Sequence, residues 1–285
     1  MIFNKTKFKK KLQMKGYANS SIQSYIRRLE LYEQWLKLKI TKGNESDTNL
    51  AFSYLKHLQK QSNNYRTINR ELQPLKLYYK FFRKSNPFQY IYIKKVEEKI
   101  KPNFFTKEEL EEIYNNLPQN TISQIRDKIL IGFYVFQGVK SSEAKTVDLK
   151  DIDLNGYKIL LKGDKRTDPR KISLNIKQIL LLSEYINNHR NKIINKITSP
   201  LFNTSSSEFA LQNLLQRLSE KLRKSVYGFE ALYQLRSSVI YNWVKEYDLR
   251  KAQYLSGHKY ISTTEKFIVK DLSILQKEVD KYFPL

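Results

Sequence analysis

The chain has 285 residues, of which 40% are hydrophobic, so it is long enough for two domains and too apolar to stay disordered. It has no cysteine, three histidines, no apolar run of the ~18 residues that a membrane span needs and no signal-peptide core. We therefore expect a cytoplasmic protein without disulfides, metal, cofactor or membrane partner. Its 52 Lys and Arg exceed its 28 Asp and Glu, a net charge of +24 that argues for a polyanionic partner.

Residues 1–86 are predicted to form a helical domain. Only eight glycines and seven prolines interrupt the whole chain, which is typical of a mostly helical protein. Apolar residues at helical spacing predict four helices in this part, at residues 3–15, 21–38, 48–61 and 65–82. Asp47 or Thr48 is a suitable N-cap for the third helix, and Pro74 is expected to kink the fourth.

The polar side of the fourth helix is basic, with Arg66, Arg70, Lys76, Lys80 and Arg83. Such residues often form no more than a solvated helix face. Here residues 1–100 contribute +15 of the net charge, which favours contact with the phosphates or a groove of nucleic acid. An AT-rich genome also inflates lysine, but it does not favour Lys over Glu. A membrane surface is the weaker alternative, because no basic amphipathic helix with an insertion face is evident.

Residues 87–103 are predicted to link two domains. They include Pro87 and Pro102, show no clear periodicity and contain a charged run at residues 94–101. Directly after them, Thr106 and Glu109 have the spacing of a capping box ahead of an apolar run, which predicts a helix start. A second domain is therefore expected to span residues 104–285.

The second domain is predicted to combine helices with a few short strands. A helix at residues 121–137 is expected to end at Gly138. Strands are predicted at residues 146–149, 157–161 and 170–174, and a turn at residues 163–169 joins the last two. Further helices are predicted at residues 176–194, 207–226, 230–247, 249–255 and 272–282. The predicted fold class is mostly α with a small β-sheet (α+β).

Four stretches of the second domain stand out by their order: GVKSSEA at 138–144, KGDKR at 162–166, YQLR at 233–236 and LSGHKYISTTEKF at 255–267. In these stretches the chain resembles the tyrosine recombinases, the phage integrase and Xer-like family. Residues 255–264 are the most specific part of the match. The first domain is similar to the helical SAM-like core-binding domain of that family, chiefly at residues 16–25 and 66–70. The resemblance implies a C-shaped clamp that closes on double-stranded DNA.

The resemblance also implies metal-independent cleavage and rejoining of DNA strands. In the family a tyrosine attacks a phosphodiester and forms a 3′-phosphotyrosine, two arginines and a histidine stabilise the charge on the phosphate, and a lysine protonates the leaving oxygen. The matching residues are Arg236 for the second arginine, His258 for the histidine and Lys162 for the general acid. Lys165 and Arg166 follow in the same turn and are expected to contact DNA.

Three positions depart from the family pattern. Lys140 stands where the first arginine is expected, which keeps the charge but loses the bidentate geometry of a guanidinium. Tyr233 replaces a histidine three residues before Arg236, and its phenol can still donate to a phosphate oxygen. Phe267 stands where the nucleophilic tyrosine is expected, nine residues after His258. Because phenylalanine has no hydroxyl, we predict that this chain does not cleave DNA.

Several explanations of Phe267 stay open. The chain could be a naturally degenerate recombinase that binds DNA as an accessory subunit, an active enzyme captured as a Tyr→Phe trap, or an enzyme in which Tyr260 or Tyr282 is the nucleophile. Lys140 favours the first, because a trap needs no second change. A recombinase-derived regulator or an RNA-binding module is the alternative from another class. RNA recognition usually needs exposed aromatic residues on a sheet or in a pocket, and these are not evident.

The predicted terminal helix carries apolar residues at helical spacing: Leu272, Leu275, Val279 and Phe283. Packing against its own domain would explain this stripe. The resemblance implies instead that the helix contacts a neighbouring protomer or a partner recombinase on DNA. It further implies a role in site-specific recombination, or in the integration or transposition of a mobile element.

Overall fold

The computed structural model describes residues 3–40, 47–62, 64–83, 85–94, 103–190, 200–202 and 210–268. The chain divides into two compact units, Met1–Ile100 and Lys101–Leu285, each with its own hydrophobic core. The terminal helix predicted at residues 272–282 lies outside the described residues. Of the helices that are described, none is both long enough and apolar enough to cross a membrane.

The described part of the first unit folds into four helices: α1 (Lys5–Met14), α2 (Asn19–Ile40), α3 (Asp47–Gln61) and α4 (Tyr65–Phe82). The side-chain oxygens of Asn4 and Asn64 accept hydrogen bonds from the backbone N–H groups of Lys7 and Arg66, and so cap α1 and α4. Pro74 is buried inside α4, which continues through it. The four predicted helices are confirmed, and α4 has the predicted bounds.

Aromatic rings dominate the core of the first unit. The ring of Phe3 meets that of Tyr78 edge-on with centroids 4.8 Å apart, and Tyr32 meets Phe88 in the same way at 5.5 Å. Such edge-to-face pairs stabilise a core beyond the area they bury. Because Phe88 is fully buried in this core, the predicted linker at residues 87–103 begins with residues that pack in the first unit.

The second unit combines helices with a three-stranded antiparallel sheet of order β1-β2-β3. Its strands are β1 (Ile152–Asp153), β2 (Lys158–Leu161) and β3 (Arg170–Ser173). Its described α-helices are α5 (Lys107–Asn115), α6 (Ile122–Gln137), α7 (Ser141–Ala144), α8 (Ile176–Glu184), α9 (Ala210–Ser225), α10 (Leu232–Glu246), α11 (Leu249–Ser256) and α12 (Ile261–Glu265). The fold is mostly α with a small sheet, as predicted.

Helix α6 is the centre of the second core, since most of its side chains are buried. Thr121 and Gln124 form a capping box at its start, and Gly138 ends it in the left-handed conformation with a φ of 55°. The capping box predicted for α5 is confirmed, because the Thr106 hydroxyl accepts from the Glu109 N–H while the Glu109 carboxylate accepts from the Thr106 N–H. The two capping boxes fix where α5 and α6 begin, and Gly138 fixes where α6 ends.

The strand predicted at residues 146–149 is wrong. Asp148 precedes a 3-10 turn, Leu149–Asp151, and its N–H donates to the Asp151 carboxylate at 2.9 Å. Such a local bond competes with strand formation, and the segment forms only an isolated antiparallel bridge, between Asp148 and Pro200. The first strand is Ile152–Asp153 instead. The short helix Ile261–Glu265 was not predicted, because five residues are too few to show helical periodicity.

Candidate active site

The first site segment follows the end of α6. The left-handed Gly138 turns the chain sharply, and a Cβ there would meet the side chains of Val239 and Trp243 at 3.3 and 3.4 Å. Lys140 is then the residue that precedes helix α7, and its backbone N–H donates to the Glu143 carboxylate at 2.9 Å. Burial, together with the charge of Arg236, lowers the pKa of the Lys140 ammonium group.

Glu143 lies at the centre of a buried ion network. Its side chain has no exposed surface, and its two oxygens accept from the Arg170 guanidinium at 2.6 and 3.1 Å. The Nη1 atom of Arg236 lies 3.6 Å from the same carboxylate. Burial alone would raise the pKa of Glu143, but the hydrogen bonds and charge of Arg170 outweigh it and lower the pKa. Glu143 therefore stays ionised among cations.

Arg236 connects the first site segment with the last one. It is buried on α10, and its guanidinium donates to the carbonyl oxygen of Gly138 and, at 2.7 Å, to that of Ser256. Burial is the main cause that lowers the pKa of Arg236 to about 10, and the charge of Glu143 opposes it. The guanidinium remains protonated at neutral pH. It connects Gly138, two residues before Lys140, with Ser256, two residues before His258.

His258 is fixed on three sides. It follows the left-handed Gly257 at the end of α11, and its backbone N–H and C=O both bond to Gln253. Its Nδ1 atom lies 3.0 Å from the hydroxyl of Thr264 on α12. Burial, followed by the charges of Arg236 and Lys140, lowers the pKa of His258 to about 4. The imidazole is therefore neutral at pH 7, and its Nδ1 atom shares a hydrogen bond with the Thr264 hydroxyl.

The turn at residues 163–169 forms hydrogen bonds with α7 and with the segment that carries His258. The Asp164 carboxylate accepts from the backbone N–H of Arg166 at 2.7 Å and from the Ser142 hydroxyl at 3.0 Å. The N–H of Asp168 donates to the carbonyl oxygen of Gly257 at 3.0 Å. Desolvation alone would raise the pKa of Asp164, but the hydrogen bonds that its carboxylate accepts from Arg166 and Ser142 outweigh it and lower the pKa to about 2. The turn thus contacts both α7 and the segment that carries His258.

Phe267 lies directly beside the histidine. Its ring stacks on that of His258 with centroids 6.1 Å apart and planes 21° apart. On another side it meets Phe104 at 6.0 Å, and Phe104 stacks in turn on Tyr241 at 4.6 Å. Residue 267 is therefore part of an aromatic row that covers His258.

Lys162 bonds to carboxylates rather than to the other site residues. Its Nζ atom lies 2.5 Å from the Asp148 carboxylate, 2.8 Å from that of Asp151 and 3.3 Å from the carbonyl oxygen of Thr146. The hydrogen bonds to Asp148 and Asp151 raise the pKa of Lys162. The structure therefore brings Lys140, Arg236 and His258 together, which we call the basic cluster, and leaves Lys162 in a separate ion network.

The remaining predicted site residues lie on the surfaces of the two units. Tyr233, one turn before Arg236 on α10, is 69% exposed. Lys165 and Arg166 are exposed in the turn between β2 and β3. Most of the predicted DNA contacts of α4 are exposed too: Arg66, Arg70, Lys80 and Arg83. Lys76 is only half-buried, and burial lowers its pKa.

The sequence reasoning missed three residues of this site: Asp164, Arg170 and Thr264. Asp164 and Thr264 lie inside the quoted motifs, but nothing in their spacing shows which groups they contact. Arg170 is the first residue of a predicted strand, a position where a solvated arginine is the ordinary expectation. A signal did exist, because Glu143 in a motif next to a buried helix needs a cationic partner. Within the described ranges, no group of three or more His, Asp or Glu side chains could hold a metal ion.

A helical SAM-like unit followed by this α+β unit is the fold of the tyrosine recombinases. The chain belongs to the phage integrase family, whose model matches residues 103–272, more than half of its length. The model of the N-terminal SAM-like domain of phage integrases matches residues 6–86.

Individual proteins show the same relationship. Tyrosine recombinase XerC of Bacillus subtilis is 26% identical over 289 residues, which cover 95% of this chain and 92% of that protein. XerC of Staphylococcus epidermidis is 28% identical, over 83% of this chain and 80% of that protein. The solved XerH recombinase bound to difH substrate has a TM-score of 0.70 at 19% identity, over 98% of this chain and 84% of that one. A Tyr→Phe variant of the Tn1549 transposon integrase, solved in complex with transposon right end DNA, has a TM-score of 0.69 at 16% identity, over 98% of this chain and 99% of that one.

Proposed function

We propose that this chain binds double-stranded DNA, places a phosphodiester at the basic cluster and does not cleave it. DNA binding is supported by the net charge of +24 and by the exposed basic residues of α4 and of the β2–β3 turn. It is also supported by the relatives, since XerH and the Tn1549 integrase were solved with DNA. The chain would act in the cytoplasm as a DNA-binding member of a site-specific recombination system.

The basic cluster has the donors that a phosphate needs. Arg236 supplies a planar guanidinium, His258 a neutral imidazole that Thr264 holds through Nδ1, and Lys140 an ammonium group. Their carbonyl, hydroxyl and carboxylate partners orient these groups before any ligand binds, which is how oxyanions are stabilised in strand-transfer chemistry. Lys140 cannot bind two phosphate oxygens in the bidentate manner of arginine. We expect weaker stabilisation of the transition state than an arginine would give.

The stacking of Phe267 on His258 carries the proposal that cleavage is lost. At 6.1 Å between ring centroids, residue 267 is close enough to the basic cluster for its side chain to act there. A phenyl ring cannot attack phosphorus, because it has no hydroxyl. Lys140 is a second departure at the same cluster, which favours natural degeneration over a single engineered change. Tyr260 is 67% exposed beside His258, and it stays the alternative nucleophile among the described residues.

Lys162 remains our candidate for the general acid of the ancestral reaction. Its contacts with Asp148 and Asp151 would have to open before it could reach a leaving oxygen. We also propose, from the resemblance, that residues 271–285 contact a neighbouring protomer or a partner recombinase on DNA. These residues lie outside the described part of the chain.

A covalent-adduct assay on DNA that flanks the gene tests the proposed function. The parent chain is compared with Phe267→Tyr, with Lys140→Arg and with the double variant. We expect all four proteins to bind DNA and only those with Phe267→Tyr to form an SDS-resistant protein–DNA adduct. Lys140→Arg should increase adduct formation by the double variant over Phe267→Tyr alone.

Other results of this assay have distinct meanings. An adduct formed by the parent chain would show that another residue, such as Tyr260, is the nucleophile, and would refute the proposed loss of cleavage. If no variant forms an adduct although all bind, the chain is a DNA-binding regulator whose site has degenerated further. Absence of DNA binding by the parent would refute the proposal altogether.

A further inference from the structure

We infer that Arg170 is a positioning residue that assembles the basic cluster from segments distant in sequence. The inference rests on the proposed function only in that the cluster binds phosphate. Arg170 itself has no exposed side-chain surface, so it cannot contact DNA. It acts through the groups that it bonds.

All three nitrogen atoms of the Arg170 guanidinium have partners. Nη1 and Nη2 donate to the two oxygens of Glu143 at 2.6 and 3.1 Å, and Nε donates to the carbonyl oxygen of Leu255 at 2.8 Å. The two bonds to Glu143 fix the segment after α6, and the bond to Leu255 fixes the end of α11. Arg170 on β3 therefore joins three elements through one side chain.

Each bond leads to a member of the basic cluster. Glu143, held by Arg170, accepts from the Lys140 N–H at 2.9 Å and lies 3.6 Å from Arg236. Beyond Leu255, the carbonyl oxygen of Ser256 accepts from Arg236 at 2.7 Å. His258 follows two residues later. The positions of Lys140, Arg236 and His258 thus depend on contacts that converge on Arg170.

Gly257 shows how closely Arg170 approaches the histidine segment. A Cβ at residue 257 would lie 2.5 Å from Arg170 Nη1, a distance that no side chain could tolerate. The backbone of Gly257 also has a φ of 66°, which other residues adopt only with strain. The glycine before His258 is therefore required both by its own conformation and by the guanidinium packed against it.

A lysine could not replace this arrangement. An ammonium group has one nitrogen and no planar fork, so it cannot hold both oxygens of Glu143 and the Leu255 carbonyl in one plane. Arg170→Lys keeps the positive charge and removes only the planar, bidentate hydrogen-bonding geometry of the guanidinium. A buried ion pair need not add stability, and hydrophobic replacements often match it. A role in geometry explains the network better than a role in stability.

The test follows phosphate binding at His258 in the full chain. The probe is inorganic phosphate, and the readout is the chemical shift of the His258 ring nitrogens, assigned with His57→Gln and His189→Gln variants. We expect Arg170→Lys to weaken phosphate binding at least tenfold. Arg126→Lys is the matched control, because Arg126 is a buried arginine of the same unit that pairs with Asp127 at 2.6 Å, away from the basic cluster. It should lower the thermal unfolding midpoint without weakening phosphate binding.

Three results would overturn the inference. These are wild-type phosphate affinity in folded Arg170→Lys, equal weakening by Arg126→Lys, and no phosphate binding by the wild-type chain. A DNA-binding measurement on the wild-type chain shows separately whether the proposed function stands.

If Arg170→Lys does not fold, Arg170→Gln combined with Glu143→Gln removes both buried charges together. This double variant should fold and still lose phosphate binding at least tenfold. Retained binding by the folded double variant would contradict a positioning role.

Discussion

The ring of Phe267 stacks on that of His258, with centroids 6.1 Å apart and planes 21° apart. The same imidazole bonds through Nδ1 to the hydroxyl of Thr264 at 3.0 Å. A phenylalanine at this position therefore has a packing role in the structure although it has no reactive group. It lies against the ring of the histidine, and burial is the main cause of the low pKa of His258.

The first prediction concerns the protonation of His258. We expect its imidazole to titrate with a pKa of about 4 in the folded chain. Unfolding should raise that pKa to about 6.5, the value of an exposed histidine. An NMR titration of the three histidine rings measures this directly, since His57→Gln and His189→Gln identify the other two. A midpoint at the ordinary value would show that the ring is neither buried nor surrounded by cations.

The same shift makes stability depend on pH. The unfolded chain takes up the proton of this histidine at a higher pH than the folded chain does, so protonation favours unfolding. We expect full stability above about pH 6.5 and a loss of up to ~3 kcal/mol as the pH falls towards 4. His258→Gln should reduce this loss in urea unfolding, and His57→Gln, in the other unit, should not.

The second prediction concerns the ion network of Lys162. Asp148→Asn removes one of the two carboxylates that bond its Nζ atom, at 2.5 Å, so that only Asp151, at 2.8 Å, still competes with a phosphate for the ammonium group. We expect tighter DNA binding and a slope of log K against log salt that is steeper by about 0.9, the value of one further phosphate contact. Fluorescence anisotropy over a range of salt concentrations measures both quantities.

Asp153→Asn is the matched control for Asp148→Asn. It makes the same charge change five residues further along the chain, but Asp153 is exposed and accepts from the Gly156 N–H at 2.7 Å rather than from Lys162. Equal tightening by both variants would mean that net charge alone is responsible, and that Lys162 gains no contact.

The third prediction concerns the basic face of α4. Lys80→Gln removes an exposed charge in the last turn of this helix and should weaken binding to every DNA sequence alike, with a salt slope shallower by about 0.9. Lys60→Gln makes the same change in the last turn of α3, where no DNA contact is predicted. If Lys60→Gln weakens binding as much as Lys80→Gln does, α4 is not the DNA-contacting helix of the first unit.

Local signals in the sequence were reliable where local physics decides the structure. The bounds of α4 and the capping box of α5 follow from apolar spacing and from side chains that bond to nearby N–H groups. The strand predicted at residues 146–149 failed because Asp148 and Asp151 form a local turn, although the residues around them have strand-like character. Phe88, in the predicted linker, packs against Tyr32 in the first core, a contact that the spacing of residues along the chain does not show.

The order of the motifs in the sequence determined the family, the departures at Lys140 and Phe267 and the basic charge, because these are properties of residue type and spacing. Only the tertiary structure decided which groups meet. It placed Arg170 against Glu143 and Leu255, and it placed Lys162 with Asp148 rather than with His258. The reason is that a charged side chain takes the partners that packing brings within about 3 Å, whatever their distance along the chain.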